Sequence, residues 1–247
     1  MCIFSLEDVE VSGTNIFARM IAPGVQALAY GMELRTAREV AMVLPVPIAP
    51  GRGDAAMSFV NLDDAPHMFQ ELALLFEDPT EQSRSFEDEA ELHELELELE
   101  VHEVGSFVAS YVPTRADFRR LDRRFRVPEV VFTAAPHYGD YGFAVFQLAP
   151  RATTVHPMAF TFPTRAPDKL FFPTVHVHDG SFHAQAHFDH ALYYQHPRGP
   201  DGRVLEGDAV SSSSIASTYG GIATATRVIR RELRGMLPNR DTWISAT

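Results

Sequence analysis

Seven of the eleven histidines fall between positions 156 and 196: His156, His176, His178, His183, His187, His190 and His196. Imidazole is both a common metal ligand and a proton carrier near neutral pH, so this cluster is where chemistry is sought first. The run from Thr174 to Phe188 carries Asp179-Gly180 between alternating polar and apolar residues, the strongest short-range signal for a two-residue β-hairpin. With those two as the turn, His178 faces Ser181 and His176 faces His183. Thr174, His176, His178, Ser181, His183, Gln185 and His187 then share one face, and Val175, Val177, Phe182, Ala184, Ala186 and Phe188 the other. His176 and His183 would be cross-strand neighbours about 5 Å apart at Cβ, with His178 two residues along. Three neutral imidazoles can hold zinc with a fourth position open for water, which the metal activates as a nucleophile. His187 is the candidate fourth ligand, and copper or nickel would accept the same donors. The same pattern also fits a polar strand face turned to solvent.

The second candidate is Cys2, the only cysteine, which excludes an intramolecular disulfide framework. Removal of Met1 would leave its thiol beside a free α-amine able to act as base. Such a beginning looks like the N-terminal hydrolases, among them glutamine amidotransferases and bile-salt or penicillin amidases; downstream only Arg19 stands at a suitable distance. The alternative is that Cys2 opens a buried strand through Ile3 and Phe4. No His-Glu-x-x-His and no Gly-x-Ser-x-Gly occurs.

The elements that must position these groups are mostly strands. Residues 27–34 and 41–47 read as two strands around a polar turn, the second ended by prolines. Residues 142–148 and 157–163 repeat the arrangement, which points to an internal duplication of a β-hairpin unit or to two hairpins of similar length. Asp63 or Asp64 caps a helix with Met68, Phe69, Leu72, Leu75 and Phe76 along one stripe. Leu95 to Val101 alternates leucine and glutamate, a strand with one acidic face inside the stretch 94–103. Thr114 to Arg126 reads as an arginine-rich helix with a Thr114/Asp117 capping box. A last helix over 222–236 sets Ile222, Ile229, Leu233 and Met236 to one side. Residues 77–91 and 197–214 read as flexible insertions into one domain spanning 1–247.

With 33 acidic against 21 basic residues the formal charge is −12, which argues against nucleic acid as a partner because phosphate neutralisation needs a basic surface. No nucleotide-cofactor motif stands out. No apolar run approaches the roughly 20 residues of a membrane helix, and the N-terminus lacks a signal-peptide pattern, so no membrane partner and a cytoplasmic location are expected. The acidic strand 94–103 and the arginine-rich helix 114–126 are complementary contact surfaces for a second copy or a protein partner.

Three segments together carry a family resemblance: Ala41-Met42-Val43-Leu44-Pro45-Val46-Pro47, His102-Glu103-Val104-Gly105-Ser106-Phe107, and Tyr141 to Pro173 with its Phe-Pro and Phe-Phe-Pro endings. Over residues 20–180 the chain resembles an uncharacterised bacterial family known only as a domain of unknown function. That resemblance implies a fold but no activity.

These readings converge on an α+β fold in which antiparallel sheet dominates and a few helices cover it. Three functions are compatible with it: a metal-binding protein or metal-assisted hydrolase on His176, His178, His183 and His187; a Cys2 amide hydrolase; and a non-catalytic assembly or interaction protein.

Overall fold

A computed structural model gives the structure of the chain, which describes residues 2–5, 9–76, 101–104, 107–122, 126, 132, 136–149, 151–177, 179, 181–196 and 211–246. It is a mainly β protein. Six strands form one sheet in the order β11-β1-β4-β8-β7-β6: His176–Val177, Cys2–Phe4, Val40–Val46, Gly142–Leu148, Phe107–Val112 and Val101–Val104. Seven form another, β13-β14-β12-β2-β3-β9-β5: Ser211–Ser214, Arg227–Pro238, Gln185–Gln195, Glu10–Ala22, Val25–Thr36, Arg151–Pro163 and Ser58–Val60. A two-stranded piece pairs β10 (Lys169–Phe172) with β15 (Thr242–Ser245). Antiparallel pairing dominates as expected, with β1–β11 and β12–β2 parallel. Helical elements are short: α1 (Met68–Leu74) and 3-10 turns at Arg115–Arg120 and Pro136–Tyr138.

Alternation along the strands explains how both sheets are buried on both faces. Even-numbered residues of β4, Met42, Leu44 and Val46, join Leu28, Tyr30, Phe146 and Phe160 in one cluster between the two sheets. Ala41 and Val43 point the other way, into a second cluster with Phe143, Val145, Val177, Phe118 and Tyr138. On the far side of the larger sheet, Phe17, Ala27, Ala29 and Tyr193 meet α1 and Ile222. A strand covered on both faces has no polar side to show, which is why β4 reads as an unbroken apolar run and is buried along its length. Full burial of one such phenylalanine, Phe146 for example, is worth about 2–3 kcal/mol.

The two similar strand-turn-strand units are not hairpins. β3 and β4 lie in different sheets, as do β8 and β9. Each unit instead lies antiparallel along the other: Val25 pairs with Pro163, Leu28 with Phe160, Thr36 with Arg151, Val40 with Leu148 and Val46 with Gly142. Together they form a single long ribbon that crosses from one sheet to the other, the way a β corner is made. A register shift between Tyr30 and Met32 sets two residues of β9, His156 and Pro157, against the single Gly31, and a bulge is where a proline without N–H does least harm. The resemblance of the two units thus has a structural cause, since paired strands crossing the same layers need matching burial.

Other expectations are corrected. Residues 227–238 form β14 rather than a helix: its partner β12 lies along it from Tyr194–Ile229 to Gln185–Pro238, and exposure alternates from Glu232 onward. Apolar residues at 229, 233 and 236 have helical spacing, but Met236 is left exposed on the strand, and the β-branched Val228 and Ile229 with Gly235 at φ +80° favour the strand. The arginine-rich segment is a 3-10 turn that stops at Leu121 in an extended conformation, although Thr114 does donate to Asp117 (2.7 Å). The helix stripe at Met68, Phe69 and Leu72 is buried as expected, but His67, not an aspartate, precedes the helix. Ser211–Ser214, read as loop, pairs with β14. The insertion 77–91, residues 197–210 and acidic positions 94–100 lie outside the described residues. None of the helices described is long and apolar enough to cross a membrane.

Candidate functional site

The segment around Asp179 does not close as a hairpin. Its arms separate because Val175 and Val177 sink into the outer core of the six-stranded sheet while Phe188 belongs to the seven-stranded one. Backbone groups that a hairpin would pair with each other are taken up by Asn239, 5% exposed. The His176 N–H donates to Asn239 Oδ1 (2.8 Å), and Asn239 Nδ2 donates to the carbonyls of His176 (2.8 Å) and His183 (2.9 Å). Asp241 continues the stitch, accepting from the amides of Thr174 (3.0 Å) and Val175 (3.3 Å) and from the Tyr138 hydroxyl (2.6 Å). Burial and the Asp241 carboxylate push the Tyr138 phenol far above its ordinary value.

The histidines are thereby dispersed. His183 turns to Asp179, 2.8 Å away, and this bond holds the Asp179 carboxyl below its usual value. His187 is exposed on β12 opposite Met236. His156 sits on β9 beside Asp63, 3.4 Å away, and against Phe107. His178 lies outside the described residues. His176 and His190 do meet, with ring centroids 4.6 Å apart and Phe188 against both. Beside them Asp189 accepts from the Gly13 amide (2.6 Å) and lies 3.4 Å from His190 Nδ1. The neighbouring His190 imidazole first, then the Gly13 amide, holds the Asp189 carboxyl down at about 2. Gly13 reaches it at φ +57°, a conformation natural to glycine, where β2 changes register against β3.

The metal-site expectation is therefore overturned. Among the described residues no group of three or more His, Cys, Asp or Glu side chains is placed to hold a metal. The spacing was right for a hairpin face, but the pairing that would have brought His176 and His183 together is absent. Cys2 starts a strand as its alternative reading expected: β1 lies inside the six-stranded sheet, with Cys2 in parallel register with His176, and Ile3 and Phe4 are 0% and 1% exposed.

A second location was missed by sequence reasoning. A cavity of about 550 Å³ opens at the β2–β3 turn, lined by Arg19, Ile21, Pro167, His196, Thr224 and Arg227 among others. Gln195, 1% exposed and paired with Arg19 in parallel register, fixes one wall. Its amide donates to the Thr224 carbonyl (2.8 Å) and Thr226 hydroxyl (3.1 Å), and its oxygen accepts from the Thr224 N–H (2.9 Å). Burial pushes the His196 imidazole below its ordinary value and lowers the Arg19 guanidinium as well. The signal in the sequence was Arg19 itself, an always-charged residue inside the apolar run Ile16 to Ala22.

The architecture defines a class: two β-sheets sharing one core, joined by a crossing ribbon and padded on their outer faces. It is similar over its whole length to the crystal structure of baculovirus P35, at 12% identity, covering 99% of each chain with a TM-score of 0.53. Structures of the caspase-8/P35 complex (12% identity, 95% of this chain and 96% of that one, TM-score 0.46) and of a mutated baculovirus P35 after caspase cleavage (12%, 95% and 99%, TM-score 0.44) also match. At that identity the likeness is one of fold. No family model matches the chain, and no curated protein does. The resemblance to an uncharacterised bacterial family is thus replaced by a P35-like fold; its apolar, proline-ended segments fall on the strands of the crossing ribbon, on β6–β7 and on β10.

Proposed function

We propose that this chain acts by binding a protein, without catalysing a reaction, and that a caspase is the first partner to test. The observation that carries the reading is the fold similarity to baculovirus P35 along 99% of both chains. P35 has been solved in a complex with caspase-8, which supplies the partner class by analogy. The dispersal of the histidines agrees with it, because nothing among the described residues assembles a metal-activated water. The arginine-rich turn contributes a charged surface: Arg119 is exposed, and Arg120 reaches Asp117 (3.6 Å) and Asp54 (3.8 Å).

The test mixes the purified chain with active caspase-8 and with an executioner caspase, following fluorogenic peptide hydrolysis and co-elution on size exclusion. A 1:1 complex with loss of peptide hydrolysis supports the reading. Unchanged hydrolysis and separate elution at tens of micromolar with both proteases overturn the caspase assignment. Sedimentation of the chain alone tests a second copy as partner, which salt would weaken if charged surfaces hold it.

A further inference from the structure

We infer that the cavity at the β2–β3 turn is a binding site for a small organic carboxylate with an apolar body. This inference is independent of the protein-binding reading. A volume of about 550 Å³ lies in the range of small-molecule sites.

Arg19 is the reason for an anion. Its guanidinium is partly buried, and its Nη2 makes one long hydrogen bond, 3.5 Å, to the Gly221 carbonyl. Its Nε is buried with no hydrogen-bond partner, and among the described residues no carboxylate stands within 4.0 Å. Taking a guanidinium out of water without a counter-charge is costly, so the open side of this group favours an anion. The outer nitrogens of its planar fork suit a carboxylate, which they can grip through two parallel hydrogen bonds. Arg227 adds a second positive charge to the lining.

The remaining wall fits an apolar body. Met20, Ile21, Pro23, Pro167 and Ile229 line the cavity, and Ile21 is 38% exposed, one of few large apolar side chains so placed. Thr224 and Thr226 add hydroxyls to the lining, held in place by Gln195 at both peptide and side chains. The charged end of such a ligand belongs at Arg19 and its body against the apolar lining.

The experiment is a ¹H–¹⁵N titration of the full chain with N-acetyl-leucine, its neutral amide, and inorganic phosphate. Expected are saturable shifts at Gly221, Thr224 and Thr226 with the acid, at least about tenfold weaker binding of the amide, and loss of the response in Arg19→Gln. Arg227→Gln, at a more exposed position, serves as the second variant should Arg19→Gln fail to fold, and is expected to weaken the acid severalfold. No saturable shift, equal binding of acid and amide, or tighter binding of phosphate than of N-acetyl-leucine would each overturn the assignment.

Discussion

His176 and His190 meet edge to face with ring centroids 4.6 Å apart, although one belongs to the six-stranded sheet and the other to the seven-stranded sheet. They are fourteen residues apart in sequence and would not have met in a hairpin. Their contact marks the seam where the two sheets join, and Asp189 supplies the carboxylate beside it.

This seam gives the protein an acid-sensitive element. Asp189 titrates at about 2 in the fold against 3.8 in the unfolded chain, so its depressed value means the unfolded state takes up its proton first. The contribution is fully present above pH 4 and is lost as pH falls toward 2. With the side chain 31% exposed, screening limits it to about 1–2 kcal/mol. Denaturation midpoints measured from pH 6 to pH 2 are expected to fall more steeply for the native chain than for Asp189→Asn. Parallel curves for the two would remove Asp189 from this role.

Asn239 is the hinge of the opened segment. Asn239→Ala leaves the His176 N–H and the carbonyls of His176 and His183 without their side-chain partner. Each buried, unsatisfied group costs about 1–3 kcal/mol, partly relieved where water can enter. A loss of about 2–4 kcal/mol is expected in urea denaturation, with little change in the m-value. A loss under 0.5 kcal/mol would mean the two arms find each other once the amide is gone.

Gly31 on β3 makes room for α1. A Cβ there would stand 2.5 Å from Phe69 Cδ2, and Phe69 is itself 8% exposed beneath the helix. Gly31→Ala is therefore expected to destabilise by about 1–3 kcal/mol through overpacking. In Gly31→Ala/Phe69→Leu the smaller side chain relieves the clash, so the double mutant should be less destabilised than the two single changes added together. Simple additivity in thermal unfolding would rule out the steric explanation.

The strands of the ribbon and the apolar stripe of α1 were legible because burial is written locally, as an unbroken apolar run in Val40 to Val46 and as helical spacing in Met68, Phe69 and Leu72. β14 was not, because Ile229, Leu233 and Met236 have helical spacing, and only the neighbour β12 settles it. The cavity was illegible beyond Arg19, since its lining comes from four separate stretches between Arg19 and Ile229.

By itself the sequence determined that this chain is rich in antiparallel strands and that it carries a strongly acidic net charge. Tertiary structure decided which strands pair. Three buried amides show how: Gln26 bonds both peptide groups of Phe171, Gln195 holds Thr224, and Asn239 holds His176. Each completes backbone hydrogen bonding where no strand is available, between segments 29 to 145 residues apart. A buried backbone group must be bonded to something, but the sequence does not say to what, because partners so distant are chosen by the packing of whole sheets and by no local pattern.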